Sequence, residues 1–98
     1  MGTDFLAPPP FRPDDAMQAL KRDLRGLGLA ERAGFFERRG IAIARVTLDG
    51  STLQAARVKR PTRASPEWQA STLRSSADTR GFVADLKLRL AQWSDSDE

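Results

Sequence analysis

A run of basic residues around Trp68 carries the clearest chemical signal in this 98-residue sequence. Guanidinium and ammonium groups neutralise phosphates, and an exposed indole offers a flat face on which an unpaired base can stack. Pro61 and Pro66 lie in the same run, so we expect its cations to be carried on a loop. Together with arginines upstream, the candidate nucleic-acid-binding residues are Arg38, Arg45, Arg57, Lys59, Arg60, Arg63 and Trp68.

These residues also have a purely structural interpretation, in which Trp68 packs over the core and the cations are ordinary solvated surface. If Arg38 and Arg45 share a sheet face with Arg57, they form a cross-strand stripe that could follow a duplex backbone or meet acidic side chains of a partner. Their spacing matches no known nucleic-acid-binding motif, so the sequence leaves both interpretations open.

Several kinds of chemistry are excluded by residue types that the sequence lacks. It contains no cysteine, histidine, tyrosine or asparagine. Zinc and copper sites are built from sulfur and imidazole ligands, and nucleophilic triads need histidine, so neither is available. Gly26, Gly28 and Gly34 fit neither a phosphate-binding loop nor a dinucleotide fingerprint. We therefore predict a protein that is not an enzyme and that needs no metal or cofactor.

The charge is concentrated in the middle of the chain. Residues 21–63 hold eleven basic and four acidic residues, whereas each flank carries a small acidic excess, for a net charge of +3. A basic surface attracts nucleic acid. No apolar stretch approaches the roughly 20 residues that span a bilayer, and no leader pattern opens the sequence. We expect a soluble cytoplasmic protein with no membrane role.

Two amphipathic helices are predicted from apolar residues at 3.6-residue spacing. The first covers residues 14–25 and the second covers residues 77–93, with Leu88 outside the apolar face of the second. The apolar face of the first helix consists of Ala16, Met17, Leu20, Leu24 and Leu27. The apolar face of the second consists of Phe82, Val83, Leu86, Leu90 and Trp93.

Three β-strands are predicted between the helices, at residues 33–38, 41–48 and 52–58. Asp49-Gly50 predicts a type I′ hairpin between the second and third strands, and Arg39-Gly40 is a weaker turn signal between the first two. The apolar alternation changes parity between Ile43 and Val46. This change indicates either a β-bulge or a strand covered on both faces, as a dimer would provide.

The predicted fold is therefore α+β, with an N-terminal helix, a three-stranded antiparallel meander, a long basic loop over residues 60–76 and a C-terminal helix, arranged as a two-layer sandwich. A single domain covers residues 14–93, preceded by a flexible Pro-rich arm (residues 1–13) and followed by an acidic tail (residues 94–98). A less favoured alternative is a helix-turn-helix whose second helix covers residues 29–39.

Two functions are compatible with this pattern. The first is a small accessory protein that binds DNA or RNA without catalysis, mainly through phosphate contacts. The second is a protein-interaction or homodimerisation module, in which the second face of the meander and Leu88 meet a partner. Binding that weakens steeply with salt would favour the first, whereas a salt-insensitive apolar interface would favour the second.

Overall fold

The computed structural model describes residues 11–96, with side chains through Ser94. Residues 1–10 of the predicted arm and residues 97–98 of the predicted tail lie outside the described residues. The elements in chain order are α1 (Pro13–Gly26), β1 (Ala30–Arg32), β2 (Phe35–Arg38), β3 (Ile41–Asp49), β4 (Thr52–Val58), β5 (Trp68–Leu73) and α2 (Ser76–Ser96). The fold is α+β, as the sequence predicts.

Helix α1 confirms the first predicted helix. Proline occupies its first turn, where no backbone donor is needed, and two aspartates in the same turn complement the positive end of the helix. Leu20 and Leu24 are fully buried. The chain leaves the helix through Gly28, whose φ of +92° is strained for any residue with a Cβ atom.

Helix α2 confirms the second predicted helix, and its start is capped by side chains. The Ser75 hydroxyl accepts a hydrogen bond from the backbone N–H of Asp78 (3.1 Å), and the Asp78 carboxylate accepts one from the N–H of Arg74 (2.9 Å). Reciprocal bonds of this kind satisfy donors that the first turn leaves free. Leu86 is fully buried, whereas Leu88 is 58% exposed on the outer side.

The sheet contains five antiparallel strands in the order β1-β2-β3-β4-β5, so the predicted three-stranded meander is only its centre. The prediction missed both edge strands. Strand β1 is three exposed residues long and joins β2 through Ala33-Gly34, where both φ angles are positive. Such a short exposed strand has no apolar pattern to reveal it. The same hairpin shows that the helix-turn-helix alternative was wrong, because residues 30–38 form strands.

Strand β5 corrects the predicted long loop over residues 60–76. Trp68–Leu73 pairs along the whole of β4, from Val58↔Trp68 to Leu53↔Leu73. The three residues at the centre of β5 are exposed, so they show no apolar alternation. An edge strand of this kind is specified by the hydrogen bonds that its neighbour offers, and these depend on tertiary structure.

The β3 strand contains the irregularity that its sequence indicates. Phe36 pairs with Ala44 and Glu37 pairs with Ala42, so Ile43 is an extra residue. This register shift is a β-bulge, one of the two alternatives that the sequence left open, and it allows Ile43 and Ala44 to be buried together.

The two predicted turns have different outcomes. Arg39 and Gly40 both have positive φ, which confirms the turn between β2 and β3. The β3–β4 hairpin is present, but its two turn residues are Gly50 and Ser51, because Asp49 pairs with Thr52. Only Gly50 has positive φ, which is the pattern of a type II′ turn. The predicted type I′ turn at Asp49-Gly50 was therefore wrong.

Both helices pack on one face of the sheet. Lys21 and Arg25 of α1 form ion pairs with Glu31 of β1, and Asp85 of α2 pairs with Arg57 of β4. The strand register places Glu31 and Arg57 on the same face, since Glu31 lies opposite Phe36, Phe36 opposite Ala44, and Ala44 opposite Arg57. The core lies between this face and the helices. Neither described helix is long and apolar enough to cross a membrane.

Candidate nucleic-acid interface

The sheet face opposite the helices carries the candidate site. We call it the open face. Side chains alternate between the two faces of a strand, so the register assigns its members. They include Phe35 of β2, Arg45 and Thr47 of β3, Gln54, Ala56 and Val58 of β4, and Trp68, Ala70 and Thr72 of β5. The described helices lie on the other face of the sheet, and Arg45, Thr47 and Ala70 are exposed here. Ala56 and Val58 are nevertheless buried, and Val58 belongs to the core.

Three of these side chains form a compact group that we call the stacking cluster: Phe35, Arg45 and Trp68. The aromatic rings of Phe35 and Trp68 have centroids 5.9 Å apart and are tilted by 35°. The guanidinium carbon of Arg45 lies 4.9 Å from the centroid of the Trp68 ring. This distance is typical of a cation–π contact. The cluster thus consists of a guanidinium over an indole ring, with a second aromatic ring beside the indole.

The strand register brings the cluster together. Phe35 pairs directly with Arg45, and Arg45 pairs with Ala56. Ala56 in turn pairs with Ala70 of β5, and Trp68 lies two residues before Ala70 on that strand. The large Trp68 ring therefore reaches diagonally across Ala56 towards Arg45. Ala56 and Ala70 have methyl side chains, which leave the space above the sheet to the indole. Trp68 is half-buried and packs against the core, so it combines the two roles that the sequence left open.

The basic loop, residues 59–67, lies at the same end of the sheet as Trp68 because it joins β4 to β5. Its base is closed by a 2.8 Å hydrogen bond from the backbone N–H of Lys59 to the carbonyl of Glu67. Lys59, Arg60 and Arg63 are exposed. None of these three cations, nor Arg45, forms an ion pair with a described carboxylate.

Arg57 lies elsewhere and is already neutralised. Its side chain is 12% exposed on the helix face, and its Nε lies 2.6 Å from Oδ2 of Asp85. Arg89 approaches the other carboxylate oxygen at 3.4 Å. Burial raises the pKa of Asp85, but the hydrogen bond and charge of Arg57, helped by Arg89, outweigh this effect, so the pKa lies below its usual value. Arg57 is therefore a structural residue of the helix–sheet contact.

Arg38 also lies away from the cluster. It is half-buried on the helix face, and its Nη1 donates a 3.4 Å hydrogen bond to the carbonyl of Leu90 in α2. The condition for a cross-strand arginine stripe is thus not met, because Arg45 lies on the opposite face from Arg38 and Arg57. The structure brings Arg45 and Trp68 together next to the basic loop and separates the other two arginines from them.

Phe35 is the member of the cluster that the sequence-based choice of site residues omitted. The Phe35-Phe36 pair contained a usable signal, because adjacent strand residues point to opposite faces. Once Phe36 is assigned to the core, Phe35 must lie on the other face, beside whatever pairs with it. The prediction that Phe35 pairs with Arg45 would need the position of the β-bulge, which only the tertiary structure gives.

The open face also carries acidic residues. Glu37 lies two residues beyond Phe35 on β2, and the Asp49 carboxylate accepts a 3.3 Å hydrogen bond from Gln54 at the far end of the face. The β2–β3 turn and the basic loop lie at the same end of the sheet, so Glu37 is displaced from Phe35 towards the end that holds Trp68, whereas Asp49 lies at the opposite end. The Trp68 end of the open face therefore carries the Glu37 carboxylate as well as the cations of the basic loop.

Within the described part of the chain, no three acidic side chains lie close enough together to hold a metal ion. Comparison of the whole chain with known protein families, curated proteins and solved structures finds no significant match.

Proposed function

We propose that this protein is a small, non-catalytic accessory protein that binds single-stranded nucleic acid in the cytoplasm. In this proposal an unpaired base stacks on the cluster of Phe35, Arg45 and Trp68, and the basic loop contacts the phosphates on either side. The observation that carries the proposal is the Arg45 guanidinium lying over the Trp68 ring, beside a loop whose cations form no ion pair with a described carboxylate.

The stacking part of the proposal rests on the shape of the cluster. Bases stack on aromatic rings and on arginine guanidinium planes, and both surfaces are present here. One side of the Arg45 guanidinium faces Trp68, so its other side is the surface on which a base would extend the stack. A base within a duplex is already stacked on its neighbours, so this contact favours single strands.

The phosphate contacts rest on the location of the free cations. Lys59, Arg60 and Arg63 are exposed and belong to a loop that begins and ends next to Val58 and Trp68. A strand with a base at the cluster would have its neighbouring phosphates close to this loop. Lysine and arginine contacts of this kind release counterions and make binding depend on salt.

The alternative function is a protein-interaction or homodimerisation module. Its two proposed contact features lie on opposite sides of the molecule, since Leu88 is on the outer side of α2 and the helices cover the other face of the sheet. One interface could not use both of them. A dimer through the open face alone would cover Arg45 and Trp68, so it would compete with nucleic acid.

Fluorescence anisotropy of labelled oligonucleotides tests the proposal. Single- and double-stranded DNA and RNA are titrated with the protein at about 50 mM and about 200 mM salt, the range over which phosphate contacts lose affinity. We expect tighter binding to single strands and steep weakening with salt. Equal affinity for single and double strands would contradict base stacking, and no binding at low salt would overturn the proposal.

Two pairs of variants separate charge from stacking. Arg60→Ala/Arg63→Ala should reduce the slope of log K against the logarithm of the salt concentration by about 1.4 in magnitude. Each phosphate contact on a single strand contributes about 0.7 to this slope. Arg22→Ala/Arg80→Ala removes the same charge from exposed positions on the helices and should change little.

The second pair replaces arginine by lysine, which keeps the charge but removes the flat guanidinium. Arg45→Lys should weaken single-strand binding about 5-fold or more, because a stacked base contributes roughly 1–3 kcal/mol. Arg60→Lys should bind nearly as the wild type does. Equal effects of the two substitutions would show that Arg45 acts only through its charge.

A further inference from the structure

A basic cavity of about 510 Å³ lies on the helix side of the sheet, where the ends of β2 and β4, the start of the basic loop and the last turns of α2 converge. This volume lies within the range of about 300–1,000 Å³ that is typical of small-molecule sites. Its lining includes Arg38, Lys59, Arg60, Ile41, Ile43 and Trp93. Neither the stacking cluster nor Arg63 contributes to it.

One side of the cavity is cationic. Lys59 and Arg60 are exposed and form no ion pair with a described carboxylate, and the acidic side chains of residues 11–94 do not line the cavity. Arg38 is held in place by its hydrogen bond to the Leu90 carbonyl. Positive charge that converges on a concave site without local compensation attracts an anion.

The other side is apolar and includes an aromatic ring. Ile41 and Trp93 are half-buried residues packed against the core, and Ile43 is buried. These side chains therefore form a wall that is held by the core, in contrast to the solvated side chains of Lys59 and Arg60. A ligand that fills this cavity needs a flat apolar part for the wall and a negative charge for the cations.

We propose that this cavity binds a nucleoside 5′-phosphate, with the base against Trp93 and the phosphate between Lys59 and Arg60. Lys59 and Arg60 belong to both proposed sites, but the apolar wall of the cavity and the stacking cluster lie on opposite faces of the sheet, so the inference does not require the proposed function. The same chemistry is presented by a free nucleotide and by the phosphorylated end of a strand. The ligand is therefore a phosphorylated nucleoside, which is either a free nucleotide or the 5′ end of a strand.

The two tryptophans make the test specific to this cavity. The indole N–H groups of Trp68 and Trp93 give two signals in a ¹H–¹⁵N NMR spectrum of the full-length protein, and the spectrum of Trp68→Phe assigns them. Adenosine 5′-monophosphate should shift the Trp93 signal in a saturable manner, with a dissociation constant below about 1 mM. Adenosine and inorganic phosphate should each bind at least about 10-fold more weakly, because each lacks one half of the ligand.

Paired charge variants provide the control. Lys59→Ala/Arg60→Ala should weaken binding of the nucleotide at least about 10-fold, and Arg22→Ala/Arg80→Ala, with the same loss of charge, should leave it unchanged. The proposal is overturned if the nucleotide does not shift the Trp93 signal, if adenosine shifts it equally well, or if both double variants behave alike.

Oligonucleotides with a 5′-phosphate or a 5′-hydroxyl distinguish the source of the ligand. If a 5′-phosphorylated oligonucleotide shifts the Trp93 signal as the mononucleotide does, and the 5′-hydroxyl oligonucleotide does not, the ligand is the end of a strand. If neither oligonucleotide shifts the signal, the ligand is a free nucleotide. A shift of the Trp68 signal alone reports the open face. The Trp93 and Trp68 signals therefore show separately whether the cavity binds its ligand and whether the open face binds nucleic acid.

Discussion

Arg45 and Arg57 belong to adjacent residue pairs of the β3–β4 register, and this difference of one position places Arg45 in the stacking cluster and Arg57 in an ion pair under the helices. They lie on neighbouring strands, but Arg45 pairs with Ala56 and Arg57 pairs with Ala44, so they point to opposite faces. Arg45 is exposed and lies over the Trp68 ring, whereas Arg57 forms an ion pair with Asp85 of α2 on the helix face. The Arg57 side chain is only 12% exposed, so its guanidinium needs the Asp85 carboxylate because burial of an unpaired charge is costly.

The Arg57–Asp85 pair predicts a pH-dependent contribution to stability. Asp85 is 40% exposed, so we expect Asp85→Asn to lower the free energy of unfolding by only about 1 kcal/mol near neutral pH. The folded-state pKa of Asp85 is lowered, so this contribution is complete above the unfolded-state pKa of about 3.9 and is lost as the pH falls through the folded-state value.

Urea unfolding of wild type and Asp85→Asn at about pH 7 and about pH 2 measures this effect, which should shrink at the lower pH. Glu67→Gln is the control, because Glu67 is exposed and forms no described ion pair. A difference between wild type and Asp85→Asn that is the same at both pH values would contradict the assignment.

At the scale of elements, α2 is specified by the spacing of its apolar residues. Leu86 is fully buried and Leu88, two residues later, is 58% exposed, as expected for a rotation of about 100° per residue. The edge strands β1 and β5 have no comparable pattern, because their exposed residues leave no repeat to detect. Their pairing partners specify them.

The two leucines of α2 make a matched test of this packing. Leu86→Ala should destabilise the protein by about 2–5 kcal/mol, because it removes buried methyl groups and leaves a cavity. Leu88→Ala should change the stability by less than about 0.5 kcal/mol, because it removes only exposed surface. Thermal unfolding monitored by circular dichroism measures both, and similar melting temperatures would show that α2 packs through another face.

For the whole molecule, the described core extends further towards the N-terminus than the predicted domain boundary. The sequence places Phe11 in the arm, yet Phe11 packs against the core and the carbonyl of Arg12 accepts a 2.8 Å hydrogen bond from the N–H of Ala16. The polyproline pattern does not reveal that its last aromatic residue reaches the core. The first turn of α1 therefore depends on residues 11–13.

A pair of truncations tests this boundary. Removal of residues 1–13 should lower the free energy of unfolding by about 1–2 kcal/mol more than removal of residues 1–10, because only the longer deletion takes away Phe11, the Arg12 carbonyl and Pro13. Urea unfolding of the two proteins measures the difference. Equal stability would show that Phe11 contributes nothing to the core and that the predicted arm boundary is the better one.

The sequence alone determined the features that repeat along the chain or depend on a few neighbouring residues. These are both helices with their buried faces, the three central strands and the Arg39-Gly40 turn. Apolar periodicity and positive φ are local properties, so they can be read without knowing what the chain packs against.

Only the tertiary structure decided the strands and sites that depend on distant partners. Strand β5 forms because β4 offers it a ladder of hydrogen bonds, and the stacking cluster forms because the pairing of β2 to β5 places Phe35, Arg45 and Trp68 on one face. The same register sends Arg57 to the helix face. In a sheet, a shift of one residue reverses the face of every side chain, so the grouping of residues into a site is set by register.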